Sequence, residues 1–350
     1  MRWGSGGADV ELGVGTATFG SGGHNSMSGW ARILTVGGIV VLFLIVFFVL
    51  VPGNAVPRNP DKDKKLPTGR PDQCELLATT SNPNAAVLEP QNTWSNLAYL
   101  IAGALILYRS RTLLGAMVGL NLAFEFLFSG LYHSKLTDAL DTIDVAWIYV
   151  LLLSLFVYAV QSVIAIRVPS VAKWSAETGS WPPTRPVGWA LGISVVAIGL
   201  GVLMGCLKPG GPWDGGKGPF ESTGTTVTLV ALVALGVLPG LFWTGVRIAI
   251  PAVREDGPPI PRTVGGGITY IVKGIVLIVF VGVPTMFFRF SDGGNRLFGV
   301  NLCCSKAVLQ AHATWHILSA FMVLIAYDFC AQFSGDGRIF SFASPGTENF

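Results

Sequence analysis

The chain has 350 residues, of which 51% are hydrophobic and only 12% are charged, and its mean hydropathy is +0.57. A soluble globular domain carries about 25% charged residues, so this composition excludes an ordinary soluble fold and favours a membrane protein. The net charge of +3 is not gathered into a basic cluster, so nothing indicates a nucleic-acid partner.

The first predicted elements are a Gly/Ser-rich tail at residues 1–31 and an apolar run at 32–52. The run is too long for the apolar core of a signal peptide, and the tail before it is only weakly positive. We therefore interpret it as an uncleaved transmembrane anchor, with a cleaved signal peptide as the alternative. A polar linker with an acidic segment follows at 53–92.

Seven further spans are predicted within residues 93–333, because a membrane-crossing helix needs about 20 mostly apolar residues. They cover 93–108, 112–133, 142–165, 187–206, 224–247, 266–289 and 309–332. The expected fold is an all-α membrane protein: a seven-transmembrane-helix bundle preceded by one extra N-terminal anchor. A C-terminal tail follows at 334–350.

The orientation is predicted from the Lys and Arg residues of the short loops. Loops after the first, third and fifth bundle spans carry slightly more of them than loops after the second, fourth and sixth. We expect the first set to be cytosolic and segment 53–92 to be lumenal or extracellular. The chain is expected to be a multi-pass protein of an ER/Golgi-type endomembrane, with the plasma membrane as the alternative that loop charges do not exclude.

The second bundle span carries a polar stripe on an otherwise apolar helix. In NLAFEFLFSGLYH, four polar side chains recur every four residues and so share one helical face: Asn121, Glu125, Ser129 and His133. An ionisable group at membrane depth costs about 2.5–3.5 kcal/mol on insertion scales. Such residues are therefore usually retained for a function.

Two other spans bring polar residues to the same membrane face. The third opens with Asp141 and Asp144, and the last opens with HATWH, which contains His312 and His316. Because successive helices alternate in direction, His133 can meet both of these segments. Three neutral imidazoles with one open position form a catalytic zinc site, which lowers the pKa of bound water to about 7.

Each of these residues also has a purely structural explanation. A histidine at a helix end can be interfacial, an HxxxH pair can pack or bind haem, and Ser129 can be a helix-packing residue. Asp141 and Asp144 can be charges favoured at a helix N-terminus. Asn121 and Glu125 can hydrogen-bond between helices or line a pocket, and Trp315 is a further candidate for the pocket lining. The convergence of the three histidines favours the metal.

The sequence resembles a known family at these motifs. SGLYH with Asp144 eleven residues after its histidine, together with HATWHILSAF, resembles the alkaline ceramidases. These belong to a wider group of seven-helix membrane hydrolases that includes the adiponectin/progestin-type receptors. DQCE (72–75) and EPQNTWSNLAY (89–99) are similar to the acidic segment and first-helix opening of the ceramidases. The resemblance covers roughly residues 70–333 and leaves the anchor outside.

The resemblance implies zinc on His133, His312 and His316, Asp144 as proton acceptor and donor, and Ser129 as stabiliser of the tetrahedral intermediate. The implied substrate is a ceramide-type lipid that reaches the site from the bilayer and is cleaved to a sphingoid base and a fatty acid. A receptor of the adiponectin/progestin type is one alternative. A transporter or channel lined by the polar stripe is another.

The resemblance also implies a calcium ion beside the zinc, held by oxygen ligands of the kind that Ca²⁺ prefers. The matching residues are Asp72, Gln73, Glu75 and Glu89. The chain departs from the family at Leu77, where the family has an asparagine, and in a longer run to Glu89. The alternative is that these acids are solvated surface residues.

The family further pairs a cysteine of the acidic segment with one before the last helix. Cys74 and either Cys303 or Cys304 occupy those places. The resemblance therefore implies a lumenal disulfide, which suits an oxidising compartment. Free interfacial thiols are the alternative.

Overall fold

The computed structural model describes residues 29–51, 86–167, 186–207, 310–334, 336 and 339, and short helical stretches between 228 and 285. Its helices are α1 (Gly29–Leu50), α2 (Pro90–Ser95), α3 (Leu97–Arg109), α4 (Leu113–Lys135), α5 (Asp138–Arg167), α6 (Pro186–Cys206) and α7 (Ala311–Ser334). No strand occurs among these residues, so the all-α expectation is confirmed for them.

Four of the helices, α1, α4, α5 and α7, are long and apolar enough to cross a membrane. The 23 residues of α4, for example, match the roughly 30 Å hydrocarbon core at 1.5 Å per residue. These helices are typical of a multi-pass membrane protein. The spans predicted at 224–247 and 266–289 lie largely outside the described residues, so the count of seven bundle helices stays a prediction.

The span predicted at 93–108 begins earlier and consists of two helices. Pro90 opens α2 in its first turn, where the missing N–H would have no helical partner. α3 follows after Asn96, whose φ of −62° and ψ of −19° are still right-handed helical. Hydropathy does not detect α2 because its residues are largely polar, yet Asn92 and Thr93 are buried.

Helix α4 lies at the centre of the described structure and contacts every other helix named above. Its approach to α3 depends on two glycines, Gly103 and Gly119. A Cβ on Gly103 would lie 2.6 Å from the carbonyl oxygen of Gly119, which is closer than real Cβ atoms come. Small residues of this kind let transmembrane helices pack backbone to backbone.

A tight turn at Leu136 joins α4 to α5. Leu136 has left-handed φ and ψ of 54° and 39°, and its N–H donates to the Tyr132 carbonyl at 2.6 Å. Any residue with a Cβ in this left-handed region costs about 1 kcal/mol, and burial of the apolar Leu136 side chain offsets that cost. The turn returns the chain so that the start of α5 lies beside the end of α4.

Candidate metal centre

Three buried histidines meet where the end of α4 faces the start of α7. His133 lies in the last turn of α4, and His312 and His316 lie one turn apart in the first turns of α7. One ring nitrogen from each lies within 4.8 Å of the other two. Within the described residues, this cluster has the composition and spacing to hold a metal ion.

The closest approach in the cluster joins His133 Nε2 and His312 Nε2, at 3.2 Å. The three ring centroids are between 4.5 and 5.2 Å apart. Two nitrogens on one tetrahedral zinc ion lie about 3.3 Å apart when each Zn–N bond is 2.0–2.1 Å. The spacing therefore fits a shared ion, and without an ion it fits a hydrogen bond in which one ring donates.

Glu89 fixes the orientation of His133. Its Oε2 lies 2.7 Å from His133 Nδ1, and both side chains are buried. A carboxylate oxygen accepts from an imidazole N–H, so Nδ1 carries the hydrogen in this contact and Nε2 is the nitrogen left to bind a metal in the cluster. The Asn92 Nδ2 amide donates to the same Oε2 at 3.3 Å and so helps to hold Glu89 in place.

Ser95, at the end of α2, orients His316 in the same way. The Ser95 hydroxyl gives its one hydrogen to the Asn92 carbonyl at 2.9 Å. The 2.8 Å contact between Ser95 Oγ and His316 Nδ1 must then use the imidazole N–H as donor. His316 therefore also directs its Nε2 lone pair to the cluster.

The donor set fits a metal ion. Because neither His133 nor His316 carries an Nε2 hydrogen in these tautomers, the two rings cannot hydrogen-bond to each other through Nε2. A cation satisfies both lone pairs at once. Three nitrogen ligands from side chains leave one position of a tetrahedral site open, which is the arrangement of a catalytic zinc site.

Asp144 and Ser129 lie together beside the histidines. Ser129 is one turn before His133 on α4, and its hydroxyl lies near the Asp144 carboxylate of α5. Both side chains are buried, and Asp144 lies within electrostatic range of His133 and His312. A carboxylate and a hydroxyl are thus available beside the cluster.

The other residues predicted for the site fall into different environments. Asn121 donates from Nδ2 to Ser154 Oγ at 2.8 Å, so it hydrogen-bonds between α4 and α5. Glu125 is buried near Asp144, and within the described residues its Oε2 has no hydrogen bond. Trp315 packs with its ring centroid 5.3 Å from those of both α7 histidines. Asp141 lies in the first turn of α5, where the helix dipole favours an acid.

Several predicted residues lie outside the described part of the chain. They are the calcium candidates Asp72, Gln73 and Glu75 and the disulfide candidates Cys74, Cys303 and Cys304. The fourth calcium candidate, Glu89, is described, and its Oε2 contacts His133 and Asn92.

The sequence does not reveal that Glu89 and Ser95, at the two ends of α2, orient the histidines. It connects both residues only with the ceramidase resemblance, which implies calcium for Glu89. The available signal was an acid and a hydroxyl six residues apart, immediately before an apolar helix. That signal does not identify His133 and His316 as the partners, because both are distant in the sequence.

Comparisons of the chain with protein-family models, curated proteins and solved structures found no significant match. The chemistry of the site therefore has to be inferred from its own residues.

Proposed function

We propose that the chain is a zinc-dependent intramembrane amidohydrolase that cleaves the N-acyl bond of ceramide-type sphingolipids to a sphingoid base and a fatty acid. One observation carries this proposal. Three buried imidazoles, two of them held with Nε2 lone pairs directed inward, meet beside the Ser129 hydroxyl and the Asp144 carboxylate. This combination offers a Lewis-acid site, a proton acceptor and a hydroxyl donor in one buried place.

The nature of the ligands supports zinc as the ion. Imidazole nitrogens suit zinc, copper, iron and nickel, whereas calcium and magnesium prefer oxygen ligands. Three histidines with one open position are typical of catalytic zinc. When bound, zinc acts as a Lewis acid and lowers the pKa of water at the site to about 7.

Asp144 is suited to move the proton that amide hydrolysis requires. Its carboxylate can take a proton from the attacking water and later give that proton to the nitrogen of the leaving amine. The Ser129 hydroxyl lies near the Asp144 carboxylate and has a single hydrogen to donate. Ser129 can donate that hydrogen to the oxyanion that develops on the carbonyl oxygen.

The surroundings of the site support a lipid substrate. The cluster lies at one end of helices that are long and apolar enough to span a bilayer, so a water-insoluble amide can reach it from the membrane. We propose the seven-helix bundle with one anchor, in an ER/Golgi-type membrane with the site lumenal, as the architecture. We also propose a calcium ion bound by residues 72–75. Glu89 would offer it Oε1, because Glu89 Oε2 contacts His133 and Asn92.

The proposal is tested with purified protein in detergent and a ceramide labelled in its acyl chain. Wild-type protein is expected to contain one zinc ion and to release labelled fatty acid, and a strong zinc chelator is expected to stop the release. His316→Ala is expected to lose both the zinc and the release. Ile317→Ala is the matched control, because Ile317 is the next residue on α7 and is 41% exposed.

The outcomes separate the candidate functions. Fatty-acid release that survives both the chelator and His316→Ala would overturn the proposed mechanism. Zinc binding without release from any ceramide would favour a receptor of the adiponectin/progestin type. Calcium dependence of the release, lost in Glu75→Gln, would test the calcium site separately.

A further inference from the structure

Helix α1, which lies outside the ceramidase resemblance, packs against the bundle along one stripe. Its side chains are mostly exposed, and only 11% of its apolar window is buried. The buried ones are Phe43 and Phe47, four residues apart, and Val51 just after the helix continues the same spacing. Phe43 contacts Phe124 of α4, with ring centroids 5.1 Å apart in an edge-to-face arrangement.

The Phe47 ring packs against Gly130 of α4, where a larger residue would leave no room for it. Its side chain is fully buried, and its ring lies 5.1 Å from that of Phe126. A Cβ on Gly130 would lie 2.8 Å from Phe47 Cε2, a distance that requires the ring to shift. Gly130 directly follows Ser129 and is three residues before His133, so the contact lies within one turn of the candidate site.

The same ring also supports α2. The Phe47 and Trp94 centroids are 6.0 Å apart, and the neighbouring Phe48 is 6.1 Å from Trp94. Trp94 immediately precedes Ser95, whose hydroxyl accepts the Nδ1 hydrogen of His316. Phe47 therefore lies between Gly130 on the helix that carries one histidine and Trp94 on the helix that orients another.

We propose that α1 is a retained part of the metal centre and that Phe47 is a positioning residue for it. Phe47 wedges α2 against α4, and this keeps the two imidazole-orienting residues Glu89 and Ser95 in register with their histidines. The inference rests on the proposed metal site for its functional consequence. Cleavage of α1 as a signal peptide would uncover the aromatic surface around Phe126 and Trp94 and leave α2 without its outer support.

The first test compares Phe47→Ala with Leu42→Ala in the full chain. Leu42 is on the same helix and is 58% exposed, so its truncation is the matched control. Phe47→Ala is expected to weaken Zn²⁺ and Co²⁺ binding about tenfold, the lower end of the range for groups that support metal ligands. It should also speed amide hydrogen exchange at residues 88–95, whose N–H groups at Leu88 and Glu89 bond to the end of α4.

A second test uses the contact with Gly130, in case Phe47→Ala folds poorly. Gly130→Ala is expected to raise the Co²⁺ dissociation constant, because the new methyl group displaces the Phe47 ring. Phe47→Leu, which is smaller, is expected to be mild alone and to restore binding when combined with Gly130→Ala. A helix that acts only as an anchor would not produce this rescue, since it has no specific contact to repair.

Three results would overturn the inference. One is a mature protein that lacks residues 29–51 by mass spectrometry. Another is unchanged exchange at 88–95 in Phe47→Ala, and the third is additive effects of Gly130→Ala and Phe47→Leu on that exchange. If wild-type protein binds no metal, the proposed function fails, whereas the exchange measurements still decide the role of Phe47.

Discussion

Glu89 and His133 are joined twice, once through the backbone and once through their side chains. The Glu89 N–H donates to the His133 carbonyl at 3.1 Å, and Glu89 Oε2 accepts from His133 Nδ1 at 2.7 Å. The first bond sets where the chain before α2 meets the end of α4. The second sets which nitrogen of the ring is left for a ligand. Position and tautomer of the imidazole are thus fixed by one residue.

Removing the Glu89 carboxylate is expected to weaken metal binding. Glu89→Ala should raise the zinc dissociation constant about 10- to 100-fold, because His133 loses the acceptor that holds its Nδ1 hydrogen. Glu89→Gln should have a smaller effect, since its amide oxygen can still accept. Competition with a chromophoric chelator measures both, and Asp138→Asn, which changes an exposed acid, serves as the control. Equal affinity in all variants would contradict the role assigned to Glu89.

The Ser95 hydroxyl is expected to matter for His316 in the same way. Ser95→Ala removes the acceptor of the His316 Nδ1 hydrogen and should weaken zinc binding about tenfold or more. Ser95→Thr keeps the hydroxyl and should retain most of the affinity. Ser110→Ala is a suitable control, because the Ser110 hydroxyl donates to the Leu107 carbonyl within its own turn at the end of α3. An alanine variant with wild-type affinity would show that the contact does not orient the ring.

Asp144 and Ser129 are expected to affect turnover without affecting metal content. Asp144→Asn should lower kcat by about 10²–10⁴-fold, the usual contribution of a general acid–base. Ser129→Ala should lower kcat by about 10²–10³-fold, as for loss of one oxyanion donor. Zinc stoichiometry measured by mass spectrometry should stay at the wild-type value in both. Loss of zinc from either variant would instead indicate a structural or ligand role.

Asp336 is expected to contribute to stability and not to metal binding. Its carboxylate accepts from the backbone N–H groups of Arg111 and Thr112 and from the hydroxyls of Thr112 and Tyr158. It thereby ties the chain after α7 to the N-terminus of α4. Hydrogen bonds to a charged group contribute about 1.5–3 kcal/mol each, and they are not additive.

Asp336→Ala should therefore lower the free energy of unfolding by about 2–4 kcal/mol, with a smaller loss for Asp336→Asn. The thermal unfolding temperature of the detergent-solubilised protein measures this. Zinc affinity should not change, because the histidines lie at the other end of α4, about 30 Å away along its 23 residues. A change in zinc affinity without a change in unfolding temperature would contradict this assignment.

Much of the candidate site could be predicted from the sequence because its chemistry stands out against an apolar background. Hydropathy identified α4, α5 and α7, and alternation of helix direction was enough to bring His133 to the α7 histidines. The four-residue spacing of Ser129 and His133 placed both on one face of α4. Polar residues in a membrane span are few, so each one is informative.

Other features depend on tertiary contacts that leave no local pattern. Helix α1 is apolar on all sides, so its sequence does not distinguish the buried Phe47 from the exposed Phe48. Ser154, the partner of Asn121, is 33 residues away on another helix. Asp336 lies in the segment predicted as the C-terminal tail, and its donors come from the turn before α4 and from Tyr158 on α5. In each case the partner is defined by the path of the chain and not by spacing along it.

The histidine cluster also has a consequence for folding. His133 and His312 are 179 residues apart in the chain, so an ion held by both acts as a reversible cross-link that closes this loop in the native state. By mass action, free zinc at a hundredfold excess over its dissociation constant would stabilise the fold by about 2.7 kcal/mol. A zinc-starved compartment would then lose the protein to unfolding and degradation as well as its activity, so its abundance would follow zinc supply.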